Sequence, residues 1–127
     1  MNGLFNLAMC LANRTMICSM PSFNANLFLK LAAEYRSTYL SGVPTMFALA
    51  ARAESRPSPN DLKDVKNIYL GSAPLTASLI DDVQEVFTQA AVTDGYGTTE
   101  TGPHMFGPHP QGLDRPKPSI GYPVEEM

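Results

Sequence analysis

Two short apolar runs flanking one amphipathic stretch, all within residues 66–97, restrict what this chain can fold into more than any other feature. "KNIYLGS" (66–72) reads as a buried strand. "APLTASLIDDVQEVFTQA" (73–90) places Leu75, Leu79, Val83 and Val86 at intervals of three or four, joined by Ile80 and Phe87, which is helical spacing. Thr76 or Ser78 is placed to cap the start of that helix. "AVTDGYG" (91–97) closes as a second strand. Strands joined through a helix predict a parallel pair, because a hairpin cannot connect parallel neighbours.

The same alternation extends upstream. Gly3 to Ala12 reads as a short helix and Thr15 to Met20 as a strand. In "NANLFLKLAAEYR" (24–36), Leu27, Leu31 and Tyr35 recur on one helical face with Phe28 and Ala32 beside them. "TYLSG" (38–42) is a brief strand, Pro44 suits a first helical turn, and "TMFALAARAE" (45–54) continues as helix. "SRPSPND" (55–61) is a surface loop. The expected class is α/β, with βαβ units on a mostly parallel sheet spanning about 3–97. From 98 to 127, Pro103, Pro108, Pro110, Pro116, Pro118 and Pro123 predict an irregular tail that packs against something else.

Composition sets limits on partners. A chain of 127 residues, 44% apolar and 17% charged, is long enough to bury a core. Nine basic against twelve acidic residues give a net charge of −3, which argues against nucleic acid as a partner. Cys10 and Cys18 have neither zinc spacing nor a CxxC pattern and read as buried, reduced thiols. The apolar opening lacks a positively charged start, is interrupted by Asn13–Arg14, and is too short to span a membrane. A cytoplasmic setting is the default expectation.

In an open parallel sheet, ligands gather at the carboxyl ends of the strands. "LGSAPL" and "DGYGTTE" both leave strands there, so neighbouring strands would set these loops across one crevice. Gly95 and Gly97 let backbone approach a ligand, Thr98 and Thr99 offer hydroxyls to phosphate, and Glu100 offers a hard oxygen of the kind Mg²⁺ accepts. On residues alone, two ordinary βα loops with glycines for tight turns remain the alternative. His104 and His109 read as loop residues near a ligand pocket, with Met105 and Phe106 lining it, since no cysteine or acidic cluster makes them a metal pair.

"DGYGTTE" resembles the Tyr-Gly-x-Thr-Glu motif of the adenylate-forming superfamily, which includes acyl-CoA synthetases, peptide-synthetase adenylation domains and beetle luciferases. "GSAPL" resembles its adenine-binding loop, "SGVPTM" the segment opening the helix beside the acyl pocket, and "KPSIGYPV" a later Gly-Ser-Val-Gly-x-Pro segment. In that last segment Pro118 stands where the family has glycine. The resemblance covers essentially the whole chain and places 1–127 as a partial AMP-binding domain, inside the family's large N-terminal domain. It implies that Tyr96 stacks on adenine, that Thr99 bonds the α-phosphate, and that Glu100 ligates Mg²⁺, the last two being the catalytic candidates. It also implies that Gly71, Ser72 and Ala73 line the adenine site, with Asp94 near the adenine amino group. Gly95 and Gly97 become part of the acyl-pocket wall.

The Ala-Pro-Leu form looks more like acyl- or aryl-CoA ligases, with ATP, a carboxylic acid and CoA as substrates and a place in fatty-acid metabolism. A fragment of a peptide-synthetase adenylation domain, or a non-catalytic remnant that binds a nucleotide or a partner protein, are the alternatives. The family's phosphate loop, ribose-binding Asp and catalytic Lys find no match in these residues. The expectation is therefore that this polypeptide does not complete adenylation by itself.

Overall fold

A computed structural model describes residues 2–98, 100–102 and 105–124. Its elements run α1 (Asn2–Ala12), α2 (Ala25–Glu34), β1 (Tyr39–Gly42), α3 (Pro44–Ala51), β2 (Asn67–Gly71), α4 (Ala77–Val86), β3 (Ala91–Gly95), β4 (Phe106–Gly107) and β5 (Tyr122–Pro123). Strands β1, β2 and β3 form one parallel sheet in sequence order, with Leu40 opposite Ile68 and Ile68 opposite Val92. Two βαβ units, β1–α3–β2 and β2–α4–β3, therefore share the central strand. The α/β class and parallel pairing read from the sequence hold.

Local chemistry sets the helix boundaries. Asn24 adopts extended backbone and its Oδ1 accepts the Leu27 amide at 2.9 Å, which starts α2. Pro44 occupies the first turn of α3, where its missing N–H costs nothing. Thr76, of the two candidate caps, accepts the Leu79 amide at 3.3 Å. Accordingly α4 begins at Ala77 and residues 73–75 stay outside it, although Leu75 is buried.

One face of the sheet carries the core. Leu40, Ile68 and Leu70 point to the same side and pack with Leu29, Phe47, Ala50, Ile80, Val83 and Phe87 from the helices and their ends. Phe28, Phe47 and Phe87 form an aromatic row, with ring centroids 5.5 Å and 6.3 Å apart. Leu62 and Val65, just beyond the polar loop, are each 1% exposed and close the core beneath the strands. The turn above them is held by Ser58, whose amide and hydroxyl both donate to Asp61 Oδ2.

The opposite face carries Tyr39, Ser41, Tyr69 and Thr93 and is only partly covered. There α1 reaches the sheet through Asn6, whose amide donates to Ser41 Oγ at 3.1 Å.

Several expectations change. Residues 15–20 form no strand; Met16 and Ile17 are exposed, and no neighbouring strand is available to pair with them among the described residues. The core face of α2 is rotated from the expected one: Leu29 and Ala32 are buried while Leu27 and Tyr35 are exposed. Packing against α3 selects that face, since Phe28 meets Phe47. Cys10 and Cys18 are free thiols as expected, but Cys10 is half-buried and Cys18 exposed, because this segment leaves the core. The Pro-rich stretch does contain a two-residue antiparallel pair, β4 with β5, where Phe106 faces Pro123.

Candidate nucleotide site

Gly71 and Gly95, the last residues of β2 and β3, lie directly opposite each other in the sheet. The loops "GSAPL" and "YGTTE" therefore leave side by side from the same edge, as the strand order requires. Close approach explains the glycine at 71: a Cβ there would sit 2.9 Å from the Gly95 carbonyl oxygen. Ser72 follows at φ 68°, a left-handed conformation uncommon for a residue with a side chain. Ser72, Ala73 and Pro74 are exposed beside the neighbouring loop.

Tyr96 follows β3 and is 48% exposed. The Phe106 ring meets it edge-on at 6.0 Å, and its carbonyl accepts the Met105 amide at 3.1 Å. Half of Tyr96 is thus open to a flat ligand, while Phe106 on β4 steadies the ring. Gly97 is exposed next to it.

Beyond Gly97 the chain makes a tight turn closed by a bridge between Thr98 and Gly102. Thr98 and Thr101 lock it: their hydroxyls lie 3.0 Å apart, and each accepts the other residue's amide at 3.2 Å. Thr98 is therefore committed to the turn. Glu100 projects from it, fully exposed, and its carboxyl is held below the ordinary value by its own amide and the Thr98 hydroxyl. At neutral pH it is an ionised, accessible carboxylate. Thr99, expected to bond phosphate, lies outside the described residues, as do Pro103 and His104.

Asp94 is partly buried at the end of β3, and that burial raises its pKa, opposed by Arg115 and the Gly95 amide. Arg115 Nη2 donates to the Asp94 carbonyl at 2.7 Å, while its Nε donates to the Ser119 carbonyl. Two residues later, Lys117 Nζ donates to Gln84 Oε1 at 2.7 Å and pairs with Asp81 at 3.4 Å on α4. The segment "DRPKPS" is thereby strapped from the mouth of the site to the helix layer. His109 packs edge-on against Tyr122 at 4.4 Å, and its Nδ1 accepts the Gln111 amide, a structural role.

Sequence reasoning missed Tyr69 and Arg115. Tyr69 was reachable, since strand alternation puts residue 69 on the same face as Gly71. Its ring covers Gly95, so that a Cβ at 95 would overlap its Oη, Cζ and Cε2. Part of the wall expected to face an acyl group is thus occupied by the chain's own phenol. Arg115 sits in a segment with no period, and nothing nearby marks it.

The model of the family described as AMP-binding enzyme matches residues 1–127. The chain belongs to the AMP-binding enzyme family. Among relatives, it is 32% identical over 114 residues to luciferin 4-monooxygenase of Luciola mingrelica, covering 90% of this chain and 20% of that protein. It is 37% identical over 87 residues to 4-coumarate–CoA ligase 1 of Arabidopsis thaliana, covering 68% and 15%. In structure it is similar to apo MatB from Rhodopseudomonas palustris, with a TM-score of 0.75, 28% identity, and coverage of 91% and 22%. The fold also matches the anthranilate CoA ligase AuaEII, with a TM-score of 0.71 at 24% identity over 87% and 21%. The chain therefore spans about a fifth or less of the length of these AMP-binding relatives. No helix among the described residues is long and apolar enough to cross a membrane.

Proposed function

We propose that this chain forms one wall of the ATP and acyl-adenylate site of an acid–thiol ligase. The observation that carries the reading is the in-register pairing of Gly71 with Gly95, which sets the two glycine loops side by side below the Glu100 turn. In this proposal adenine lies between the backbone of Gly71, Ser72 and Ala73 and the half-exposed ring of Tyr96. Asp94 stands near the adenine amino group, and Thr99 meets the α-phosphate. The reaction has two halves. A substrate carboxylate attacks the α-phosphorus of ATP and expels pyrophosphate; the CoA thiolate then displaces AMP from the acyl-adenylate.

Glu100 suits Mg²⁺, which takes one or two carboxylates and fills its other positions with substrate phosphate oxygens and water. Its solvent-exposed carboxylate, projecting from the turn that Thr98 and Thr101 close, is the observation that supports this fit. When bound, the ion would neutralise phosphate charge. The chain's own contribution is orientation: Tyr96 and the two loops hold the nucleotide, and the Thr98–Thr101 lock fixes where Glu100 stands.

Isothermal titration of the full chain with ATP and MgCl₂ tests the reading. Binding that is lost in both Glu100→Ala and Tyr96→Ala supports it, and heat unaffected by either change defeats it. We further propose that these residues do not complete adenylation alone, which pyrophosphate exchange with any carboxylic acid would refute. A cytoplasmic location belongs to the same proposal.

A second reading, a non-catalytic chain that binds a partner protein, is favoured by one observation. Leu4, Leu11 and Met16 are 72%, 71% and 69% exposed along α1 and the segment after it. Nucleotide titration separates the two readings, since only the first requires ATP to bind through Tyr96 and Glu100.

A further inference from the structure

Glycines at the end of a parallel strand leave bare backbone where a ligand can lie close. In this chain the bare face of Gly95 is already covered. Tyr69 sits two residues before Gly71 on the same side of β2 and lies across to β3. A Cβ at Gly95 would overlap Oη, Cζ and Cε2 of that ring, and a Cβ at Gly71 would lie 3.6 Å from its Cε1. The ring therefore fills the volume that a side chain at 95 would need, and reaches back to ordinary contact distance of position 71.

The surroundings hold the phenol neutral. Burial, with Tyr39 and Asp94 nearby, raises its pKa above the ordinary value, and Arg115 acts only in the opposing direction. A neutral phenol does not repel a carboxylate or an adenylate through charge, so what sets it against an incoming acid is the volume of its ring.

We propose that Tyr69 is a specificity-determining residue that closes the acyl pocket above Gly95, restricting the substrate to small carboxylic acids and excluding extended aryl or long acyl chains. This rests on the function proposed above and on Gly95 belonging to the acyl-pocket wall, as the resemblance implies. Its logic is steric: a ligand carbon that would lie against Gly95 must displace an aromatic ring.

The test uses non-reactive acyl-adenylate mimics, adenosine 5′-sulfamate acylated with either acetyl or cinnamoyl, titrated into the full chain. The wild type is expected to bind the acetyl compound about tenfold or more tighter than the cinnamoyl compound. Tyr69→Ala should improve cinnamoyl binding by about tenfold or more, with acetyl binding changed by no more than about threefold. Tyr69→Phe keeps the ring and should keep the wild-type preference. It also reports on folding, because it removes only the hydroxyl. Equal binding of the two compounds by the wild type overturns the proposal while leaving the nucleotide site standing, as does a Tyr69→Ala chain that still rejects cinnamoyl. Failure of both compounds to bind any of the three chains overturns the nucleotide reading and this proposal together.

Discussion

Replacing Gly95 with alanine should destabilise the chain only while Tyr69 is present. The φ of Gly95 lies outside the left-handed region, so alanine is conformationally allowed there. On that ground alone the change would stabilise by about 0.4–1 kcal/mol, through the reduced freedom of the unfolded chain. The new methyl group would, however, overlap the Tyr69 hydroxyl and adjoining ring carbons. That overlap is too deep to relieve by small relaxation, so the ring must leave its place, at about 1–3 kcal/mol as for other overpacked sites. In a Tyr69→Ala background the overlap vanishes and only the favourable contribution remains. The two substitutions should thus couple by about 1–3 kcal/mol, with the double variant more stable than the sum of the singles predicts. Urea unfolding followed by far-UV circular dichroism suits a chain without tryptophan. With a slope of about 1–3 kcal/mol per molar urea, a 2 kcal/mol effect moves the midpoint by about 1 M. If the singles add to within about 0.5 kcal/mol, the ring does not occupy the space above Gly95 and the reasoning fails.

Other expectations follow from single contacts. Gly121→Ala should cost about 1–3 kcal/mol, measured by the same unfolding assay, because residue 121 has φ 101° and a Cβ there would lie 2.5 Å from the Gly107 carbonyl oxygen. Phe47→Ala should lose about 3–5 kcal/mol, since this ring is fully buried between Phe28 and Phe87; thermal melting of a partly or wholly unfolded variant would register it. Thr76→Ala removes the cap of α4 and should cost about 1 kcal/mol, while Thr76→Ser should cost less. Asp94 has a folded pKa above its unfolded value, so its contribution to stability falls as pH rises from the unfolded pKa through the folded one. Asp94→Asn should therefore raise the urea midpoint at pH 7 and lose that advantage below both pKa values. Asp64 behaves oppositely. Arg36 bonds it at 2.8 Å and depresses its pKa, so that stabilisation is present above the unfolded value and fades as pH falls through the folded one. The Arg36 side chain is largely exposed and that of Asp64 partly exposed, so added salt should weaken the Asp64 effect.

The parts of this fold that could be read from sequence are those with a period. β2 and α4 bury residues at spacings of two and of three and four, β3 alternates exposed with half-buried residues at its start, and the strand–helix–strand order predicted parallel pairing. Pro44 and Thr76 marked helix starts because each meets a local backbone need. The errors arose where a neighbour, not the segment, decided. Leu27 and Leu29 both satisfy helical spacing on α2, and only the position of Phe47 selects Leu29. Residues 15–20 have strand-like composition, but a strand needs a partner to pair with. At the site, the glycine loops were legible because glycine reports backbone geometry directly. The Thr98–Thr101 lock, the Tyr69 ring over Gly95 and the reach of Arg115 to Asp94 depend on rotamers and long-range placement, which composition does not encode.

Arg115 grips a backbone carbonyl at position 94 and not a side chain. Every amino acid supplies that oxygen, so the grip survives any substitution there that keeps the strand. Position 94 can therefore drift between acid, amide and neutral residues and retune what lies beside it, while the loop bearing Tyr96 stays tethered. A mutational scan should find residue 94 permissive for folding and residue 115 restrictive, so that one clamp separates the variable part of the wall from the fixed part.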